Sequence, residues 1–363
     1  MSEFLLARPD GVLRASGVRA AFDSVTAARA ALRGPDAEIV VGALPFDPRH
    51  PAALVLPGQW SRTPGRWQPP MAELPPVRVV SELPGADEHL TRVRKLVEQL
   101  EDPETGLRKV VAARSVLAEA DAEITPEAVA ARLAARHPGA GVFAVDLSPS
   151  GRTGAALIGA TPELLVARRG ETVTLRPLAG SMPRLADQQA DAAQAAGLLA
   201  SAKNREEHSY VVDWLAGILA PLCAELDIPD APRLVRTHDV WHLATPITGR
   251  LRDPSVTALD LAVLLHPTPA VCGTPTAAAL EAITRDEGDR GFYGGAVGWC
   301  DAGGDGAWLV AIRCAELSAD RRSLRAYAGG GIVAASQPRE ELDETTAKLR
   351  TFLGALDCRT PAH

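Results

Sequence analysis

"GFYGGAVGWCDAGGDGAWLVAIRCAELSADRRSLRAYAGGGIVAAS", residues 291–336, decides the fold class of this chain. Three strand-like stretches, FYGGAVGWC, GAWLVAIRCAEL and SLRAYAGGGIVAAS, are separated only by DAGGDG and SADRR. Linkers this short join strands that run antiparallel, whereas parallel neighbours need a crossover of a dozen or more residues. The stretch reads as an antiparallel meander, closed by a helix in PREELDETTAKLRTFLGAL. DAGGDG lacks the later ligands of a calcium loop and is read as a turn. Neither AGGGIVAAS nor FYGGAVG keeps the spacing of a dinucleotide fingerprint.

Upstream, RKVVAARSVLAEA reads as a strand, ITPEAVAARLAARHPGA as a short capped helix, and residues 141–181 as a run of strands joined by Gly-rich turns. Residues 187–226, through CAEL, read as one long helical region, and SVTALDLAVLLHP as another helix. Leu90, Val93, Val97 and Leu100 recur at helical spacing, with Lys95 on the outer face. Strands and helices come in blocks rather than in alternation, so the fold class is α+β and not a doubly wound sheet. Residues 45–84 carry ten of the 29 prolines, which excludes regular helix and disfavours a central strand. That segment is either a linker or an extended cover, and Trp60 and Trp67 favour the cover.

Composition bounds the function classes. Apolar residues make up 46% and charged residues 23% of the 363, as in an ordinary globular protein. The net charge of −7 comes without a basic stripe, so no nucleic-acid partner is expected. Five scattered cysteines with no CxxC pair read as reduced thiols. No run approaches the roughly 18 apolar residues of a membrane span, and the first residues do not form a signal peptide. A cytoplasmic protein with no membrane partner is the expectation.

Lysine occurs only four times, at Lys95, Lys109, Lys203 and Lys348, against 34 arginines. The two residues are not interchangeable where a compact ammonium or a removable proton is required. Glu207 shares a helix face with Val211, Trp214, Leu215 and Ile218, so it is either paired or a metal ligand. Glu344 falls opposite the stripe of Leu342, Leu349 and Leu353 and by pattern belongs to a solvated face. Lys109 opens an apolar strand and reads as a strand-end charge, Glu163 as an edge-strand charge, and His242 as a core histidine. Arg313 is a lone cation within an apolar strand and requires a carboxylate, from the protein or from a ligand.

Together and in order, these segments resemble the chorismate-utilising enzymes, and isochorismate synthases in particular. The resemblance rests on KVV at 109–111, GATPELL at 159–165, PLAGSMPR at 177–184, KNREEH at 203–208 and WHLATPITG at 241–249. It continues through LLHPTPAVCGTP at 264–275, GFYGGAVGWCD at 291–301, AIRCAEL at 311–317, AGGGIVAAS at 328–336 and DETTAKL at 343–349. It covers residues 85–357, with 1–84 as a β-rich, Pro-rich portion of the same domain and 358–363 as a tail. The implied fold is one large α+β domain of two packed antiparallel sheets with helices outside.

The resemblance implies a Mg²⁺-dependent isomerisation of chorismate to isochorismate, with Lys109 as general base and Glu163 as general acid. Glu207 and Glu344 match the magnesium ligands, with Glu341 in support. Asn204 stands where relatives often carry an acid. Gly180, Ser181, His242, Ala270, Tyr293, Arg313, Gly329, Gly331 and Lys348 match substrate-binding positions. Ala270 and GWCD point to an enzyme that stops at isochorismate, feeding siderophore or menaquinone synthesis, with the overall similarity leaning to the siderophore type. The alternatives are a salicylate synthase and a non-catalytic chorismate-binding homologue. No glutamine amidotransferase subunit is expected, and the chain would be a monomer or homodimer. Lys203 receives no role beyond a charge at the start of a helix.

Overall fold

The computed structural model describes residues 4–358, so the 358–363 tail lies, apart from Cys358, outside the described residues. The first part supplies β1 (Phe4–Arg8), β2 (Gly11–Phe22), α1 (Val25–Leu32), β3 (Ile39–Leu44), β4 (Ala53–Pro64) and β5 (Val77–Leu83). Helix α2 (Ala86–Glu101) leads into β6 (Lys109–Ala120) and α3 (Pro126–Arg136). Then come β7 (Gly141–Asp146), β8 (Ala156–Thr161), β9 (Leu164–Arg169), β10 (Thr172–Arg176) and β11 (Leu178–Pro183). Helices α4 (Gln188–Ala200) and α5 (Ala202–Leu222) precede β12 (Cys223–Asp227), β13 (Arg233–Arg236), β14 (Val240–Ala244) and β15 (Ile247–Leu251). The last part holds α6 (Ala258–Leu264), β16 (Gly273–Thr274) and α7 (Thr276–Glu287), followed by β17 (Ala296–Asp301), β18 (Gly306–Val310), β19 (Cys314–Leu317), β20 (Ser323–Ile332) and α8 (Pro338–Leu353).

All the pairings among these strands are antiparallel. The first run of the ladder is β5-β6-β20-β19-β8-β7-β1. It passes through β2 into a second run, β4-β3-β17-β18-β9-β10-β15-β12. Strand β16 adds beside the start of β6, and β11-β14-β13 form a separate small sheet. The α+β domain of large antiparallel sheets and helices is thus observed, its main sheet being continuous.

Two cores hold the layers together. Along β1, Phe4 and Leu6 join Val166, Trp308 and Leu309 of the second run, while Leu5 and Ala7 join Val129 and Leu133 of α3 and Leu349 and Phe352 of α8. A strand buried on both faces reads as an unbroken apolar run, because successive side chains serve opposite cores. Each fully buried side chain of this size contributes about 1.5–3 kcal/mol.

Three sequence expectations need correction. GAWLVAIRCAEL is two strands, β18 and β19, broken at residues 311–313 where the chain crosses from one run of the ladder to the other. The long helical region breaks at Ser201, which caps α5 by accepting a hydrogen bond from the Asn204 N–H, and CAEL belongs to β12 rather than to a helix. Residues 45–84 contain a genuine inner strand, since β4 pairs with β2 on one side and β3 on the other. Its prolines are tolerated because β3 reaches only Ala53–Val55, leaving Pro57 and Pro64 with one neighbour. Of the two tryptophans, Trp67 is packed, lying under the Arg14 guanidinium, whereas Trp60 is 41% exposed.

Candidate active site

The site gathers where the chain passes between the runs of the ladder. Glu163 lies in the crossing from β8 to β9, and Arg313 in the crossing from β18 to β19. The crossings bond to each other: the Ala160 N–H donates to the Arg313 carbonyl at 3.1 Å, and the Val310 N–H to the Glu163 carbonyl at 3.2 Å. Arg313 adopts φ +52°, a left-handed conformation that non-glycine residues enter only when their surroundings enforce it. It is therefore not the mid-strand cation of the sequence reading. No carboxylate lies within ion-pair distance of it among the described residues.

One cavity of about 40 Å³ is lined by eleven of the expected residues: Glu163, Gly180, Ser181, Glu207, His242, Ala270, Tyr293, Arg313, Gly329, Gly331 and Lys348. Lys109, Glu341 and Glu344 do not line it; Lys109 and Glu344 connect to it through ion pairs with the lining residues Glu207 and Lys348. Lys109, fully buried, places Nζ 3.0 Å from Glu207 Oε1. Lys203 pairs with Glu341, and Lys348 with Glu344 while also donating to the Gly329 carbonyl at 2.8 Å. Each of the three glutamates thus holds one of the chain's four lysines; the fourth, Lys95, is exposed as expected.

The glycine run of β20 admits these side chains. A Cβ at Gly331 would stand 2.0 Å from Glu207 Oε1 and 2.8 Å from Lys109 Cε. A Cβ at Gly330 would stand 3.0 Å from Glu341 Oε2. Successive positions therefore give way to carboxylates from α5 and from α8. Glu344 is mostly buried rather than on a solvated face, because α8 lies against β20 along that side.

Burial acts on these carboxyls alike, and the neighbours decide the sign. Burial pushes Glu163 up to about 7 against the Leu178 N–H, which donates to Oε1 at 3.3 Å, and the more distant Arg313, Lys109 and Lys348. Glu207 meets the same burial, but Lys109, Lys348 and Lys203 outweigh it and hold its pKa below the ordinary value. Glu341 is pushed up to about 7 by burial and by Glu344, against the pull of Lys203.

A second network fixes the opposite wall. His242 Nε2 faces an Arg313 nitrogen at 3.1 Å, and Nδ1 faces Ser181 Oγ at 2.8 Å. Guanidinium only donates, so Nε2 accepts and Nδ1–H donates to Ser181. The Ser181 hydroxyl hydrogen is left for a ligand. Burial, then Arg313 and Lys348, hold the His242 pKa well below its usual value, consistent with the neutral ring. Tyr293 stacks on Tyr327 with ring centroids 5.0 Å apart.

Three glutamates without histidine or cysteine form a donor set suited to a hard divalent cation. Glu341 Oε2 is buried with no partner, the kind of orphaned oxygen such an ion satisfies. No group of three His, Cys, Asp or Glu among the described residues has metal-binding spacing as it stands. Asn204 turns its amide nitrogen to Ser201 Oγ, donating at 2.9 Å.

Sequence reasoning missed two residues. Lys203 was visible as a retained lysine, but its partner is 138 positions away. Arg290 lies 3% exposed and donates to the Val111 and Val271 carbonyls while pairing with Glu287, tying β6 to the loop before β16. A larger cavity, about 530 Å³ between β1, β2, β9 and β17, touches none of the expected residues. No helix among the described residues is long and apolar enough to cross a membrane.

A family model described as chorismate binding enzyme matches residues 67–357. A Mycobacterium tuberculosis (strain H37Rv) protein provisionally named isochorismate synthase MenF is 54% identical over 97% of this chain and 95% of its own. Isochorismate synthase DhbC of Bacillus subtilis is 44% identical over 89% of this chain and 82% of its own. A crystal structure provisionally titled 2,3-dihydroxybenzoate-specific isochorismate synthase DhbC, from Bacillus anthracis, superposes with a TM-score of 0.90 at 37% identity, covering 98% of this chain and 96% of that one. With the family model covering residues 67–357 and these relatives spanning most of the chain, the protein belongs to the chorismate-binding enzymes, among the isochorismate synthases.

Proposed function

We propose that the enzyme isomerises chorismate to isochorismate with Lys109 and Glu163 as its base and acid. The net reaction adds water at C2, shifts the ring double bonds and expels the C4 hydroxyl as water, so atoms balance without a redox partner. For Lys109 to take the proton from the attacking water, the ammonium that pairs with Glu207 must first give up its own proton. Glu163 gives its proton to the departing hydroxyl. The feature that carries this reading is Glu163, buried in the wall of a cavity it shares with Glu207, Arg313 and Lys348 and pushed up to about 7 by that burial. Arg313, without a carboxylate of its own, receives one from the substrate, and Tyr293 and the Ser181 hydroxyl add donors beside it.

Mg²⁺ bound at Glu207 and Glu344, with Glu341 in support, would supply positive charge for the ring carboxylate. Ligand pockets typically span about 300–1,000 Å³. A cavity of about 40 Å³ therefore has to open for substrate. The product would feed siderophore or menaquinone synthesis. Ala270 on the cavity wall leaves the reaction at isochorismate.

The test is incubation of purified protein with chorismate and Mg²⁺ without ammonia, followed by chromatography with mass detection. A new peak of unchanged mass, lost with a chelator or in Glu163→Gln, is the expected result. Salicylate with pyruvate would make the enzyme a salicylate synthase, and untouched chorismate would overturn the catalytic assignment.

A further inference from the structure

Among the three lysines at the site, Lys203 is the one that no expectation explains. Its partner, Glu341, is 1% exposed and keeps Oε2 unpartnered, so half of the carboxylate is satisfied by a lysine and half by nothing. The three lysines differ in how firmly they are held. The Lys109 side chain is 0% exposed, and Lys348 is anchored twice, to Glu344 and to the Gly329 carbonyl. Lys203 is 18% exposed and its ammonium bonds to Glu341 alone. It stands second in α5, just after the Ser201 cap, where a flexible stem can swing towards water.

We propose that Lys203 is a displaceable counter-cation that occupies Glu341 until a divalent cation takes the carboxylate over. This rests on the reading of Glu207, Glu341 and Glu344 as a magnesium site. A buried glutamate beside a second carboxylate is costly to leave bare, so the fold needs a positive charge there when no metal is present. A permanent clamp would defeat the purpose. Lysine offers a single compact charge on a flexible stem, whereas arginine would grip the carboxylate through two parallel bonds. That explains a lysine at this position in a chain that uses arginine nearly everywhere else.

The experiment is calorimetric titration of the full-length protein with Mg²⁺ alone, in wild type, Lys203→Met, Lys203→Arg and Glu207→Gln. Removing a competing charge beside the ion predicts Mg²⁺ binding at least about ten-fold tighter in Lys203→Met. Lys203→Arg, which keeps the charge and the fold, binds Mg²⁺ more weakly than wild type. The metal-free Lys203→Met protein melts below wild type and recovers when Mg²⁺ is added. Added to Glu341→Gln, the Lys203→Met change no longer tightens binding, because its effect runs through that carboxylate. Mg²⁺ affinity that is unchanged or weaker in Lys203→Met, with wild type still binding, overturns the role of Lys203 and leaves the magnesium site standing. Binding equal in wild type and Glu207→Gln, or absent from all four proteins, overturns the site and the proposal together.

Discussion

At the crossing between β8 and β9, Glu163 is pushed up to about 7, whereas Glu207 on α5, buried just as deeply, is held below the ordinary carboxylate range. Both glutamates face the same cavity and the same cations at a distance. They differ in their first neighbour: Lys109 stands 3.0 Å from Glu207, and Glu163 receives only a backbone N–H. Burial sets the sign until a cation comes into contact, and then the contact does. One small cavity can thus present a carboxylic acid on one side and a fixed carboxylate on the other.

The largest effect that would sharpen this contrast is on rate. Glu163→Gln keeps the shape and removes the transferable proton, so turnover of chorismate falls by about 10²–10⁴-fold in a steady-state assay while the melting curve stays cooperative. The matching change on the opposite side is Gly331→Ala. Its Cβ would meet Glu207 Oε1 at 2.0 Å and push the Lys109 pair apart, with a loss of about 1–3 kcal/mol in denaturant unfolding and of most activity. A fully active, unaltered Gly331→Ala protein would break the account of the glycine run.

Stability offers a subtler test. Between about 4.5, the ordinary value, and about 7 the folded protein keeps the Glu163 proton that the unfolded chain releases. The ionised form is disfavoured in the fold, so this group lowers stability as pH rises through that window. Glu163→Gln is accordingly more stable than wild type at pH 8, by about 1–3 kcal/mol in urea unfolding. The difference vanishes below the unfolded value. The smallest effect belongs to the surface: Lys95→Ala changes stability by less than about 0.5 kcal/mol and leaves turnover alone.

Much of this was legible in the chain. The meander at 291–336 announced antiparallel sheets, and the blocks around Lys109, Glu163, Glu207 and Arg313 come together in space. The failures have physical causes. GAWLVAIRCAEL reads as one strand because both of its halves are buried, and no residue type marks the left-handed turn at Arg313. CAEL looks helical by continuation, yet the chain past Leu222 pairs with β15. The role of Lys203 depends on a carboxylate delivered by α8, which local pattern does not reveal.

The most direct measurement of the central claim is difference infrared spectroscopy, recording the protonated-carboxyl band of wild type minus Glu163→Gln across pH. The account predicts a band present at pH 6 that titrates away near 7. A band already gone by pH 5 would place Glu163 among ordinary carboxylates and contradict its assignment as the acid.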